Sequence, residues 1–245
     1  MMAGYAVKGN DIEAGGKNGG GGLYPGMMEN PQMRWAFIRK VYVIVFAQLF
    51  ICTAVSAAMF FTPAVKTFMA TTNGLIALIV LVILTFILSI AMGFCSQKHP
   101  WNYVLLGLFT VSMAFMIGVV CTYKKGMPIM IAAGVTAVVF VALTLYTFWA
   151  AKRGSDFSFL APFLICALMV LLIFGLIRMF VHMGSIGQLI YGCLGALIFS
   201  GFIIYDTDNL IKRFSYDEYI AAASCLFMDI INLFLAILNI LEGSD

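Results

Sequence analysis

Polar and charged residues divide the chain into seven long apolar runs. The runs cover residues 41–61, 74–96, 101–123, 127–151, 157–177, 187–205 and 219–241. Each run has about the twenty residues that an α-helix needs to cross the hydrocarbon core of a bilayer. With 63% hydrophobic and only 10% charged residues, the chain is also too apolar for a water-soluble domain. The pattern predicts an all-α membrane protein, a bundle of seven transmembrane helices.

The first 33 residues have a different character. They are rich in glycine and carry few large apolar side chains, so they cannot bury enough surface to fold by themselves. We expect residues 1–33 to form a flexible cytosolic tail and residues 34–245 to form one membrane domain. No pattern of a cleavable signal peptide precedes the first run, and that run is expected to act as the targeting signal.

The basic residues indicate how the bundle lies in the membrane, because cytosolic loops carry an excess of Lys and Arg. If the tail is cytosolic, that side collects Lys8, Lys17, Arg34, Arg39, Lys40, Lys98, Lys152, Arg153, Lys212 and Arg213. The other side has Lys66, Lys124, Lys125 and Arg178. This asymmetry predicts a cytosolic N-terminus and a cytosolic turn between the last two runs. A seven-helix receptor of the G-protein-coupled kind has the opposite orientation, so the pattern argues against that class.

Two acidic residues stand within the last two runs. Asp206 follows directly on the sixth run, and Asp229 is the only formal charge between Tyr219 and Leu241. A carboxylate in the middle of a membrane helix costs about 3 kcal/mol, so such a residue indicates function. Asn232 and Asn239 lie close to the same helix face as Asp229. This polar stripe faces the bundle interior or a water-filled cavity, or its asparagines bond to neighbouring helices, and both interpretations stay open.

The connection between these two runs carries a signal for the start of a helix. Ser215 and Glu218 have the spacing of a capping box, which predicts that the last helix begins near Tyr216. Straight antiparallel helices joined there would place Asp206 and Asp229 about 12 and 21 Å from the turn. Helix tilt would close that difference. The spacing therefore neither requires nor excludes contact between the two carboxyl groups.

If the carboxyl groups meet, their chemistry is constrained. Two negative charges a few ångströms apart in an apolar medium are unfavourable, so the pair would share a proton and respond to pH. Without that proton the pair offers the hard oxygen ligands that calcium prefers, which makes Asp206 and Asp229 a candidate site for transient calcium binding. Asp208 and Asn209 are candidate supports of a gate. Asp208 is either a hydrated turn residue or part of the cytosolic mouth of a cation pathway.

Other kinds of site have little support in the sequence. The only histidines are His99 and His182, which fall on opposite sides of the membrane and cannot form a histidine-rich metal site. The net charge of +3 is too small to indicate binding of nucleic acid. We expect no cofactor.

Four stretches resemble a known family of membrane proteins. Residues 203–238, IIYDTDNLIKRFSYDEYIAAASCLFMDIINLFLAIL, are similar to the signature of the transmembrane Bax-inhibitor-motif proteins. Three others resemble the plant form of its Lifeguard branch: FIRKVYVIVFAQL (37–49), QKHPWNYVLLGLFTVS (97–112) and LTLYTFWAAKRGSDFSFLAPFL (143–164). The resemblance implies a seven-helix bundle around a central last helix. It also places Asp206 and Asp229 at the positions of the family's paired aspartates.

The same resemblance implies a function, a pH-regulated calcium leak in internal membranes that restrains programmed cell death. The expected partners are then the lipid bilayer, calcium ions, protons and other membrane proteins of cell-death or stress signalling. The expected location is the endoplasmic reticulum or another endomembrane, such as Golgi or vacuole, with the plasma membrane as a further option. A bacterial relative latches its gate with an arginine at the cytosolic end of the second helix. Residues 96–99 contain no arginine, so Lys98 or His99 is the candidate substitute.

Two other functions compete with a calcium leak. A non-conducting regulator or scaffold of cell-death or stress signalling would use the acids as structural hydrogen-bond partners. An intramembrane aspartyl protease also has a Tyr-Asp on one helix and an Asp on the next. That class carries Gly-x-Gly-Asp where this chain has Leu226-Phe-Met-Asp229, which lacks a glycine to admit a substrate backbone. We therefore expect no enzymatic activity.

Overall fold

The computed structural model describes residues 22–95, 101–181 and 184–244. All regular secondary structure in these ranges is helical. The helices are α1 (Pro31–Phe60), α2 (Pro63–Met69), α3 (Thr72–Cys95), α4 (Trp101–Thr122), α5 (Gly126–Lys152), α6 (Leu160–Phe180), α7 (Gly184–Lys212) and α8 (Tyr219–Gly243). All except α2 are long and apolar enough to cross a membrane. The chain is a multi-pass membrane protein of the all-α class, as its hydrophobic pattern predicts.

Helix α1 is longer than the apolar run 41–61. It begins at Pro31, because the fixed φ angle of proline suits the first turn of a helix. Asn30 caps this end, and its Oδ1 accepts a hydrogen bond from the backbone N–H of Gln32 at 2.9 Å. The apolar run therefore marks only the part of α1 that crosses the hydrocarbon core, and the first part of the helix extends beyond it.

Helix α8 is the most buried of the seven spans. In its most apolar stretch 72% of the residues are buried, compared with 50% in α4 and 28% or less in the other five. It packs against α1, α4, α5 and α7. The central position implied for the last helix is confirmed.

Helices α7 and α8 approach closely because α7 has glycines at their contact. A Cβ atom at Gly192 would lie 2.8 Å from the carbonyl oxygen of Ala236, and one at Gly195 would lie 3.1 Å from the Ala236 side chain. Small residues at such positions let two membrane helices come together. The polar residues of α7 and α8 are thereby brought within reach of one another.

The residues just before α1 and the α7–α8 connection are held together by Arg34, which is 2% exposed. Its guanidinium donates to Glu29 at 2.5 and 3.1 Å and to the carbonyl oxygen of Phe214 at 2.6 Å. It also lies 4.9 Å from the ring centre of Tyr216, whose hydroxyl donates to Glu29 at 2.8 Å. The Tyr216 hydroxyl and the Arg34 guanidinium hold the pKa of the Glu29 carboxyl below its usual range. This cluster fixes the connection between α7 and α8.

The predicted start of the last helix near Tyr216 is wrong. Glu218 does accept a hydrogen bond from the backbone N–H of Ser215 at 2.9 Å, as a capping box requires. Helix α8 nevertheless begins at Tyr219 with Glu218 as the residue before its first turn. The reason is tertiary, since Glu29 and Arg34 hold Tyr216 in a turn outside the helix.

Several residues named above lie outside the described ranges. These are residues 1–21, which make up most of the predicted tail, and also Lys98, His99 and His182. The boundary of the tail at residue 33 and the substitution of the latch by Lys98 or His99 stay predictions.

Candidate functional site

Asp206 of α7 and Asp229 of α8 are hydrogen-bonded to each other through their side chains. The contact that residue counting left open is present. Because α8 begins at Tyr219 and α7 ends at Lys212, Asp206 and Asp229 lie about 9 and 15 Å along their helices from these ends. The non-helical residues 213–218 between the helices accommodate the remaining offset of about one turn. Two carboxyl groups attract each other in this way only while one of them carries a proton.

The surroundings of Asp229 favour an uncharged carboxyl group. Asp229 is 7% exposed, and its Oδ2 has no hydrogen-bond partner among the described residues. Leaving a buried polar atom unpaired costs about 1–3 kcal/mol, and more for a charged one. The thiol of Cys225, one turn earlier on α8, is close enough to interact electrostatically with both carboxyl groups. A proton on the pair removes one of its two charges from this apolar environment.

The asparagines of the predicted polar stripe bond within their own helix. Asn232 donates from Nδ2 to the carbonyl oxygen of Met228, and Asn239 donates to that of Leu235, both at 2.9 Å. These bonds satisfy the amide donors without a neighbouring helix. Within the described part of the chain, these amide nitrogens therefore do not join α8 to another helix.

A line of hydrogen bonds leads from the pair to the loop between α5 and α6, residues 153–159. The side chain of Asn209 is hydrogen-bonded to Asp206, and its Oδ1 accepts from Nη1 of Arg213 at 2.9 Å. Nη2 of Arg213 donates to Oδ1 of Asp156 at 2.6 Å. The backbone N–H and hydroxyl of Ser158, together with the Arg213 charge, hold the pKa of Asp156 below its usual range. The pair is thus connected to an ionised carboxylate at the surface.

Asp208 anchors the same loop. It is fully buried, forms an ion pair with Lys212 at 2.5 Å and accepts a hydrogen bond from the backbone N–H of Phe157 at 3.2 Å. Lys212 also donates to the carbonyl oxygen of Ser155. The interpretation of Asp208 as a hydrated turn residue is wrong, because the α5–α6 loop covers it and supplies a bond that the sequence cannot show. Its part in a cation pathway stays a prediction.

A second charged cluster lies at the other end of α8. Glu242 forms an ion pair with Lys124 and accepts a hydrogen bond from Nε2 of Gln188 at 3.0 Å. These residues line a cavity of about 270 Å³ together with Tyr123, Lys125 and Pro128. Helix α8 therefore carries two acids with defined partners, Asp229 near its middle and Glu242 at its C-terminal end.

Sequence reasoning did not name several charged residues of these clusters as site residues, among them Arg213, Asp156 and Glu242. Arg213 follows Asp206 by seven residues, which puts it just past the end of α7 and on the side of the helix that carries Asp206, and this spacing was a usable signal. Asp156 is distant in sequence and carries no such signal. Glu242 lies just beyond the apolar run 219–241, where a charged residue does not stand out.

The described residues do not form an arrangement of three or more His, Cys, Asp or Glu side chains that would hold a metal ion. Calcium binding at Asp206 and Asp229 therefore stays a prediction. Two carboxylates are few ligands for calcium, which takes six to eight oxygens. Any ion at the pair would keep most of its water, as expected of an ion in transit rather than one in a storage site.

Comparison with known proteins gives a consistent result over most of the chain. The family described as Bax1-I, inhibitor of apoptosis-promoting Bax1, matches residues 34–245. Protein LIFEGUARD 4 of Arabidopsis thaliana is 52% identical over 237 residues, 96% of each chain. Protein lifeguard 4 of Mus musculus is 37% identical over 211 residues, 86% of each chain. The Golgi anti-apoptotic protein of vaccinia virus (strain Lister) is 37% identical over 213 residues, 87% of each chain.

Proposed function

Since the chain belongs to the Bax1-I family of Bax-inhibitor-motif proteins and is similar to Lifeguard proteins, we propose that it is a pH-sensitive calcium leak that suppresses programmed cell death. The observation that carries this proposal is the hydrogen bond between Asp206 and Asp229 across the α7–α8 contact. The name of the vaccinia relative supports both an anti-apoptotic role and an internal membrane such as the Golgi.

The pair is the pH-sensitive part of the proposed gate. While a proton is shared, the two carboxyl groups attract each other and hold α7 against α8. When it leaves, two carboxylates face each other in an apolar medium and repel. The same event creates a pair of oxygen ligands for calcium. One protonation step therefore changes both the helix contact and the affinity for the ion.

Arg213 supports the gate from the cytosolic side. The Arg213 guanidinium donates a hydrogen bond to Asn209, which in turn is bonded to Asp206 of the pair. A second hydrogen bond, to Asp156, holds the guanidinium in this position. It thereby supplies the arginine that residues 96–99 lack. Asp208 and Lys212 hold the α5–α6 loop over the same end of α7.

The route for calcium follows α8 between its two acidic residues. Asp229 and Glu242 are about 20 Å apart along the helix, with Asn232 and Asn239 between them. At the level of Gly192 the backbones of α7 and α8 are in close contact, which leaves no room for an ion between these two helices there. Conduction requires that α7 and α8 separate there.

Reconstitution in liposomes tests the proposal. Wild-type protein should pass calcium at a rate that depends on pH, and Asp206→Asn and Asp229→Asn should each flatten that dependence. Asp217→Asn is the matched control, because Asp217 is an exposed acid in the α7–α8 connection and should leave the pH profile unchanged. Absence of any leak from correctly folded wild type, or an equal pH profile in wild type and both pair variants, would contradict it.

A non-conducting regulator is the second candidate function. The close packing of α7 on α8 favours it, because the acids then serve only to join the two helices. Under this alternative, other membrane proteins of cell-death or stress signalling are the partners. The two functions differ in cells: a D206N/D229N variant that still suppresses death as well as wild type favours the regulator, and one that loses suppression along with the leak favours the channel.

A further inference from the structure

A groove opens between α1 and α4 near the end of the bundle predicted to be cytosolic. It has a volume of about 410 Å³ and is lined by Ala36, Arg39, Lys40, Val43, Ile44 and Tyr103. The five residues of α1 fall on one face of the helix because of their spacing. The lining therefore has a cationic part at Arg39 and Lys40 and an apolar part at Val43 and Ile44, one turn deeper.

The cations of this groove differ from three other basic residues near the same end of the bundle. Arg34, Lys212 and Arg213 each pair with an acid: Glu29, Asp208 and Asp156 respectively. Neither Arg39 nor Lys40 has an acidic partner within the described residues. Arg39 is exposed, and the ammonium of Lys40 lies 3.2 Å from the centre of the Tyr219 ring. The groove thus presents two positive charges that the protein itself does not neutralise.

The position of the groove along α1 places it at the membrane boundary. The segment from Lys40 to Phe60 is about 30 Å long, which equals the thickness of the hydrocarbon core. Lys40 and Arg39 then lie level with the lipid headgroups, and Val43 lies level with the upper acyl chains. Trp101 and Tyr103 begin α4 at the same level and are 65% and 47% exposed, as aromatic residues at a membrane interface commonly are.

We propose that this groove binds one anionic phospholipid, with its phosphate and acidic headgroup at Arg39 and Lys40 and its acyl chain against Val43 and Ile44. The two positive charges of the groove complement the negative headgroup, and the apolar part of the groove complements the acyl chain of the lipid. A water-soluble phosphate would leave the apolar part uncovered. A second copy of the chain is a poor occupant, since a two-fold contact here would bring Arg39 and Lys40 against their own copies.

The groove also touches the central helix. The Tyr103 hydroxyl in its lining is hydrogen-bonded to the Tyr219 hydroxyl at 2.8 Å, and Tyr219 is the first residue of α8. Lipid binding would therefore stabilise the junction of α1, α4 and α8. The binding itself does not depend on calcium conduction, and its test needs no leak measurement.

Lipid titration of the full chain, purified and delipidated in a neutral detergent, tests the proposal by native mass spectrometry and thermal stability. The probes are dioctanoyl phosphatidylserine, dioctanoyl phosphatidylcholine, glycerophosphoserine without acyl chains, and inorganic phosphate. Wild type should bind phosphatidylserine most tightly. Each basic residue near an anionic lipid contributes about fivefold in affinity, so R39Q should lose about fivefold and R39Q/K40Q about 25-fold. Lys152→Gln is the control, because Lys152 is an exposed cation on the same predicted side.

Each outcome decides for or against the groove. Loss in R39Q and R39Q/K40Q with K152Q unchanged supports it. The single variant R39Q keeps the test valid if the double variant misfolds, since Arg39 is exposed. Equal losses in K152Q would show a general charge effect and overturn it. So would equal binding of phosphatidylcholine, binding of phosphate or glycerophosphoserine as tight as that of the lipid, or a lipid-independent dimer that R39Q disrupts.

Discussion

Asp229 and Glu242 stand on the same helix, and the structure neutralises them in opposite ways. Asp229 meets another acid, Asp206, through a hydrogen bond that needs a proton. Glu242 meets a cation, Lys124, in an ion pair that needs the carboxyl group to be charged. Loss of the shared proton would break the first contact, whereas the second is an ion pair between opposite charges. Asp229 thus marks the acid–acid end, and Glu242 the acid–base end, of the stretch of α8 between these two residues.

The largest effect is expected where α7 and α8 touch between these two ends. Gly192→Val would push its Cβ atom into the carbonyl oxygen of Ala236 and should lower the free energy of unfolding by about 1–3 kcal/mol. Thermal unfolding in detergent measures this loss. Gly134→Val on α5 is the matched control, because no atom lies within 4 Å of a Cβ built there. An equal loss in both variants would mean that the α7–α8 contact is not what holds the two ends in place.

Arg213→Gln should change the pH response of the Asp206–Asp229 pair without affecting the ion pair of Glu242 and Lys124. Removing the cation that is bonded to Asn209 favours the protonated pair, so the midpoint of the leak's pH profile should move to higher pH by about one unit. Arg153→Gln is the control, since Arg153 is in the same loop region but stacks on Trp149. An unchanged midpoint in R213Q, with a normal pH-dependent leak in wild type, would rule out Arg213 as the support.

Glu242→Gln and Lys124→Gln should each remove the ion pair at the C-terminal end of α8 and leave the Asp206–Asp229 pair unchanged. Because partly exposed ion pairs contribute about 0.2–1 kcal/mol, the leak rate should change by less than about fivefold, and the shape of its pH profile should persist. Lys66→Gln, a cation predicted on the same side of the membrane, is the control. A flattened pH profile in E242Q would show that pH sensing is not confined to the aspartate pair.

Acid should weaken the contacts at the surface predicted to be cytosolic by a small amount. The pKa values of Asp156 and Glu29 are lowered by their hydrogen-bond donors and by Arg213 and Arg34. Each carboxylate therefore stabilises the fold above its unfolded pKa of about 4, and this contribution is lost as pH falls through the lower folded value. Both groups are on the surface, so each effect should stay below about 1 kcal/mol.

Hydrogen exchange of residues 22–30 and 153–159 measures this loosening. It should rise between pH 5 and 3, after correction for the intrinsic exchange rate, while exchange near Asp229 stays slow because acid retains the proton of the pair. Faster hydrogen exchange near Asp229 than in residues 153–159 at low pH would contradict this prediction.

The helices could be predicted because uninterrupted apolar runs of about twenty residues have few other solutions in a membrane. Their ends depended on local signals that compete with tertiary contacts. Pro31 extends α1 for a reason that is readable in the sequence. Tyr216 is kept out of α8 by Glu29, which is 187 residues earlier in the chain, and by Arg34. No local rule anticipates these contacts.

For the candidate site too, the residues could be predicted from the sequence, and their contacts could not. Asp206 and Asp229 could be named because a charge in an apolar run stands out. Their contact could not be derived, because the register depends on the non-helical residues 213–218. The burial of Asp208 depends on the backbone of Phe157, a contact between distant parts of the chain that has no sequence signature.

Infrared difference spectroscopy over a pH series tests the shared proton of Asp206 and Asp229 most directly. Wild type should show a carbonyl stretching band of a protonated carboxyl group that disappears as pH rises. The band should be altered in D206N and in D229N, absent in D206N/D229N and unchanged in E242Q and D217N. A wild-type protein without this band at any pH, or a D206N/D229N variant that retains it, would contradict a proton held between α7 and α8.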